Sequence, residues 1–170
     1  IDPAKGMLEI ANNKIKDKRI KFKEGSFEKI PLKNNSVDKI ISTLALHWVT
    51  SIDKGLKELK RILKPKGTIE ILMIEKNDGK EFKKLVLRVM KKYLSNKQIF
   101  NAGKLVNRIT KKELIRKFTK YFDLKNDYKL SIKIKKKLIY GSCNDHLKWW
   151  KARSLQVISE IQNKKMFIES

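Results

Sequence analysis

Apolar residues in the first 74 positions alternate between two spacings. Ile1-Asp2-Pro3 reads as the tail of a strand with an acid at its tip. Met7, Leu8 and Ala11 then share one face of a predicted helix, Ala4 to Asn13. Ile20 and Phe22 alternate with Lys21 and Lys23, which predicts a half-buried strand from Arg19 to Glu24, ended by Gly25. Ile30-Pro31 and the polar stretch 33–36 read as a loop, and Val37 to Thr43 as the next strand. Ser51 caps a predicted helix from Ile52 to Leu63. It carries Ile52, Leu56, Leu59 and Leu63 on one side, with Asp53 suited to its N-terminal dipole. Pro65 and Gly67 stop that helix, and Thr68 to Ile74 is apolar and β-branched, as a buried strand is. The order β-α-β-β-α-β, with two helical crossovers, predicts a mainly parallel sheet.

The rest of the chain continues the pattern with less sheet. Phe82, Leu85, Val86, Val89, Met90 and Tyr93 form a helical stripe, with Lys83, Lys84, Lys91 and Lys92 opposite. Thr110 and Glu113 spell a capping box at the start of a helix bearing Leu114, Ile115, Phe118 and Phe122. Tyr128 to Lys135 alternates strictly and predicts an outer strand whose lysines guard its edge. Asn144 or Asp145 is the expected cap of a last helix carrying Trp149, Trp150, Leu155 and Ile158, and Met166-Phe167-Ile168 looks like a strand cut short. No internal repeat or long linker divides the chain, so a single domain is expected. Within it, 78–108 and 144–162 are the candidate helical caps over the active-site edge.

Charge and composition narrow the picture only a little. The 170 residues carry a net charge of +24, which draws attention to nucleic acid. Yet only six of the 42 basic residues are Arg, and the lysines run evenly through the chain. Specific base and phosphate readout favours the two-pronged guanidinium, so nucleic acid is not the favoured partner. No apolar run approaches the ~20 residues that span a bilayer, and no membrane partner is expected. The lone Cys143 excludes an internal disulfide and points to a reducing, cytoplasmic setting. The chain opens on Ile1 rather than Met, as a stretch from inside a longer protein would.

Three segments in this order resemble the class I methyltransferases that use S-adenosyl-L-methionine (SAM), in the large branch acting mostly on small molecules. Ile1-Asp2 with Met7 to Ala11 looks like that family's second strand and following helix. Gly25 to Pro31 with Asn35 to Asp38 looks like the loop after strand three and the entry to strand four. Leu59 to Gly67 looks like the turn before strand five. The resemblance covers Ile1 to about Ile74. It implies a Rossmann-like, doubly wound, mainly parallel sheet. The family's first βα unit, with the glycine-rich loop that holds the methionine end of SAM, has no counterpart before Asp2. A sequence cut short at both ends is the expected cause, and a degenerate protein the alternative; in either case this chain is expected to bind SAM poorly.

Residues carry over one by one. Asp2 matches the acid that accepts hydrogen bonds from the ribose diol, a role a two-oxygen carboxylate fills well. Met7 matches a position packing on adenine, where polarizable sulfur suits a flat ring; ordinary helix packing is the other reading. Ser26 stands where the family often has an acid receiving the adenine amino group, and Phe27 either stacks on the base or plugs its loop. Ser42, Thr43 and Leu44 follow strand four, beside the cofactor and the reacting methyl. His47-Trp48 matches a loop seen in members acting on small carboxylic acids. His47 is the candidate catalytic base, a contact to the acceptor, or a packing residue; Trp48 and Trp150 are candidate substrate contacts. No metal-ligand spacing occurs.

The resemblance thus implies methyl transfer from SAM to a small molecule, with a carboxylic acid as the leading acceptor. An RNA or protein methyltransferase, and a non-catalytic methyltransferase-like subunit, remain the alternatives. Element order fixes a fold class rather than a substrate or an oligomeric state.

Overall fold

The computed structural model describes residues 1–103, 108–136, 140–145 and 147–148, with side chains as far as Phe100 in the first span. In chain order the elements are helix α1 (Lys5–Lys14), strand β1 (Val37–Thr43), helix α2 (Ile52–Ile62), strand β2 (Leu63–Leu72), and helices α3 (Lys80–Tyr93), α4 (Asn96–Gly103) and α5 (Lys111–Tyr121). These residues fall into two compact units. The first holds 1–76 and 108–130; the second starts at Asn77 and includes the described residues from Ser131 onward.

The first unit is built on a parallel pair. β1 and β2 run side by side, joined by α2 as a crossover, which parallel neighbours require. Ser51 Oγ accepts from Lys54 N at 3.3 Å and closes the first turn of α2. The helix sinks Ile52, Leu56, Leu59 and Ile62 into a core shared with Ile30, Leu46, Val49, Leu63, Phe118 and Phe122. Each such side chain contributes about 1.5–3 kcal/mol on full burial. Helix α5 packs on α2. Its capping box forms as the sequence predicts, Thr110 Oγ1 accepting from Glu113 N at 3.2 Å and Glu113 Oε2 from Thr110 N at 2.8 Å. Phe118 and Phe122 stack at 5.4 Å, and Tyr128 meets Phe122 edge-on at 5.3 Å. Asp53 on α2 accepts from Tyr121 at 2.7 Å and from the Lys117 ammonium, with Lys120 at 3.6 Å.

Several elements depart from the sequence pattern. The stretch 19–24 is not a strand. Only Glu24 bridges Asp2, in parallel, with Asp2 N on Lys23 O at 3.3 Å and Gly25 N on Asp2 O at 3.2 Å. The partner segment turns into α1 just after Asp2, so no longer ladder can form. Pro65 and Gly67 do not precede strand β2 but lie inside it. Val37 pairs with Leu63 and Lys39 with Thr68, so the intervening residues bulge out, Lys66 taking φ +63°. Gly67 is required there: a Cβ would lie 2.7 Å from Leu63 Cδ1 and 2.9 Å from the Asp38 carbonyl oxygen. Tyr128 to Lys135 forms no strand. Tyr128 and Leu130 pack on the first core, and the division between units falls just after Leu130. Near 143–145, Ser142 takes the cap position in place of Asn144 or Asp145, Asp145 N donating to its Oγ at 3.1 Å.

The second unit's described core is small: Met90 and Leu94, with Val86 and Ile99 against them. The candidate cap 78–108 thus belongs mainly to this unit. Most of the 144–162 candidate lies outside the described residues.

Two outcomes follow for the first unit. Gly67→Ala should lower stability by about 1–3 kcal/mol, the range for forced overpacking, read from thermal unfolding by circular dichroism. The Lys117 and Tyr121 hydrogen bonds outweigh burial and hold the Asp53 carboxyl at about 2, against an ordinary 3.8. A depressed acid stabilises the fold fully above its unfolded value and loses that contribution as pH falls through its folded value. Urea midpoints should therefore drop between about pH 4 and 2, and Asp53→Asn should flatten part of that slope.

Candidate functional site

The loop after Glu24 is the first wall of a cleft. Ser26 and Lys29 close a tight turn through reciprocal backbone bonds at 3.3 and 3.2 Å, leaving Phe27 and Glu28 at its tip. Gly25 lets it pass under Pro31, whose Cδ would lie 2.5 Å from a Cβ there. Polar ties to α2 fix it in place. Glu58 Oε2 accepts from Ile30 N at 2.8 Å. Arg61 donates to the carbonyls of Ile30 at 2.9 Å and Leu32 at 2.7 Å, and to Asn34 Oδ1 at 3.0 Å. Arg61 and Glu58 grip each other with two bonds at 2.7 Å, and the Arg61 guanidinium holds the Glu58 carboxyl below its ordinary range. Glu28 Oε1 reaches the segment after Trp48, accepting from Thr50 N at 2.7 Å, Thr50 Oγ1 at 2.9 Å and Ser51 N at 3.3 Å. Burial pushes the Glu28 carboxyl up, but these bonds outweigh it and hold it low.

The second wall is the end of β1. Leu44 leaves the strand at φ +54° while its N–H still bonds Leu72 O at 2.8 Å. A non-glycine residue held there stores backbone strain, and such strain clusters at functional sites. The short 3-10 turn Leu46–Trp48 follows.

Between these walls lies a cavity of about 680 Å³. Asp2, Ser26, Phe27, Ser42, Thr43, Leu44 and Trp48 all line it, so the fold gathers seven of the sequence-derived candidates at one place. The cavity also runs along β1 past Val37, Lys39 and Ile41. β2 pairs with the other edge of β1, and no third strand joins them among the described residues. Ile41, 67% exposed, shows how open this edge is.

Two candidates fall elsewhere among the described residues. His47 is 1% exposed and does not line the cavity. Its ring packs beside Trp48, with centroids 5.2 Å apart, inside a turn that buries Leu46 and His47 together. The imidazole lies buried behind Trp48, the place of the packing residue among its three readings. Met7 is exposed on α1, which buries none of its residues, and does not meet the cavity. Trp150, like His146 and Trp149, lies outside the described residues. Glu28, Glu58 and Arg61 were not legible as site residues. The i, i+3 spacing of Glu58 and Arg61 announces an ion pair, but nothing in it says that a loop 30 residues upstream is the object gripped.

The lining suits a nucleoside. Asp2 Oδ1 accepts from Ala4 N at 2.8 Å, which orients the carboxylate. Ser42 is 6% exposed, and its Oγ is buried with no hydrogen-bond partner, a state that costs about 1–3 kcal/mol until a ligand group satisfies it. Phe27 offers a flat apolar surface.

Residues 1–71 match the family described as methyltransferase domain. Over these residues the chain is similar to that methyltransferase family. The chain is 36% identical over 73 residues to the uncharacterized methyltransferase YdaC of Bacillus subtilis, covering 43% of this chain and 40% of that one. It is 31% identical over 74 residues to the ubiquinone/menaquinone biosynthesis C-methyltransferase UbiE of Idiomarina loihiensis, covering 41% of this chain and 30% of that protein. The chain thus spans less than half the length of either relative. The fold is shared with the crystal structure of YcgJ from Bacillus subtilis, with a TM-score of 0.60 at 20% identity, over 93% of this chain and 64% of that one. The matched segment ends in β2, and the residues lining the first unit's cleft lie within it.

Glu58→Ala should strand the Arg61 guanidinium and free the 30–34 loop. Losing hydrogen bonds between charged partners costs about 2 kcal/mol, visible in urea unfolding, and exchange of the Ile30 amide should quicken in hydrogen-exchange mass spectrometry.

Proposed function

We propose that the cleft holds the nucleoside half of SAM and that the protein serves methyl transfer to a small-molecule acceptor. The observation that carries this reading is the meeting of Asp2 and the unsatisfied Ser42 hydroxyl in one cavity with Phe27. Asp2 takes the ribose diol. Phe27 packs on the adenine and Ser26 accepts from its amino group. Ser42, Thr43 and Leu44 border the reacting end. Bound SAM supplies a methyl carbon on a positively charged sulfur that is already a good leaving group.

The protein's work is then alignment and exclusion of water. Trp48 forms the acceptor side of the cleft, held by His47 packed behind it. A carboxylic acid is the favoured acceptor. Bound SAM would supply the methyl carbon, and an ionised carboxylate would accept it with no proton to be removed. That suits a cleft whose neighbouring imidazole is buried, since a hydroxyl or protonated amine needs a base. The relative described as a C-methyltransferase makes a carbon acceptor the alternative within this class. A cytoplasmic setting accords with an exposed free Cys143.

A second reading is a non-catalytic subunit of the same fold.

Adenosine is expected to shift the amide signals of Ser26, Phe27 and Ser42 in NMR titrations. Asp2→Ala, or 2′,3′-dideoxyadenosine with the unaltered chain, should weaken binding about tenfold, as loss of a charged hydrogen bond does. Equal binding in all three cases would remove the cofactor reading and leave the second.

A further inference from the structure

Helix α3 divides lengthwise into three stripes. Met90 and Leu94, just past its end, are buried with Val86 beside them, and this stripe faces the second unit's core. Lys80, Lys84, Arg88, Lys91 and Lys92 form an exposed basic stripe at three- and four-residue steps. Between them run Phe82, Leu85, Val89 and Tyr93, also at three- and four-residue steps, with 38 to 57% of each surface exposed. The sequence pattern predicts one continuous apolar stripe from Phe82 to Tyr93. The structure splits it and buries only its Val86–Met90 side.

An exposed apolar stripe beside a basic one has a specific physical meaning. The helix carries six basic residues against one acid, Glu81, which already pairs with Lys84 at 3.1 Å. RNA or a purely polar acidic surface would use the basic stripe and leave the four apolar side chains in water. An anionic bilayer uses both: phosphate headgroups take the ammonium and guanidinium groups, and the acyl boundary takes the apolar side chains. Tyr93 ends the stripe with a ring suited to the headgroup level. No helix among the described residues is long and apolar enough to cross a membrane, so attachment would be to the surface, with α3 lying in its plane.

We propose that α3 docks on anionic lipid surfaces through Phe82, Leu85, Val89 and Tyr93, drawn in by the basic stripe at their side. This revises the expectation of no membrane partner, which rested on the lack of a spanning segment. It is independent of the cofactor reading.

The test is flotation of the full chain with vesicles of phosphatidylcholine containing 30% phosphatidylglycerol (about a third anionic, enough for electrostatic capture), against phosphatidylcholine alone. Because a chain of +24 will meet any anionic surface, the deciding variant leaves charge untouched: Phe82→Ser with Leu85→Ser and Val89→Ser. These side chains lie outside the buried stripe, and circular dichroism confirms the fold. Binding to anionic vesicles should fall at least ~10-fold in the triple variant, since each loses buried apolar area. In Tyr93→Trp, the emission added to that of the three native tryptophans in the unaltered chain should shift blue on binding and be quenched by lipids brominated on their acyl chains. Undiminished binding by the triple variant, an indole that brominated lipids do not quench, or no capture by anionic vesicles would each overturn the proposal. RNA binding that outcompetes vesicles and ignores the triple substitution would assign the basic stripe to nucleic acid instead.

Discussion

The two-pronged grip between Glu58 and Arg61 decides whether the first unit has a cleft at all. Burial of Leu56 and Leu59 supplies more stability, at about 1.5–3 kcal/mol each, but apolar contacts have no direction. The guanidinium does. With one side taken by Glu58, its remaining N–H groups meet the carbonyls of Ile30 and Leu32, and Glu58 returns a bond to Ile30 N. Helix α2 thus fixes the path of a loop that has no strand of its own to stabilise it. Glu28 then carries the tie onward to Thr50 and Ser51 at the head of the same helix. Both walls of the cavity refer back to one rigid element, which a ligand site needs if its groups are to hold position.

The free edge of β1 gives the cavity its other character. Parallel strands are ordinarily covered on both sides, and an unpaired edge presents backbone N–H and C=O groups. The residues of this strand line the same space as Asp2 and Ser42. Leu44, held at positive φ just beyond this edge, turns the chain away so that Trp48 can face the cavity while His47 and Leu46 go under. One turn of three residues thereby separates a lining ring from a core ring.

The crossover β1–α2–β2 was legible because each piece has a strong local signal: β-branched runs, a serine cap, and leucines at helical spacing. Asp2, Ser26, Phe27, Ser42, Thr43, Leu44 and Trp48 came from the family resemblance, and the fold places all seven along one cavity. The failures share a cause. The stretches 19–24 and 128–135 alternate well enough, but a strand exists only beside a partner, which alternation cannot reveal. His47 and Met7 belong to segments whose residue types fit either a site or a packed face; His47 is buried in its turn and Met7 is exposed on α1. The split stripe on α3 is the same lesson on a helix: period 3.6 locates apolar residues on one side but does not say how wide a strip the neighbouring core will cover.

The most direct measurement is a crystal structure of the chain grown with S-adenosylhomocysteine, the product form of the cofactor. The account expects the ribose hydroxyls on Asp2, the adenine against Phe27, and a ligand atom within hydrogen-bond distance of Ser42 Oγ. A ligand seated elsewhere, or an Asp2 carboxylate left with Ala4 N as its sole partner while the ligand occupies the cavity, would contradict it.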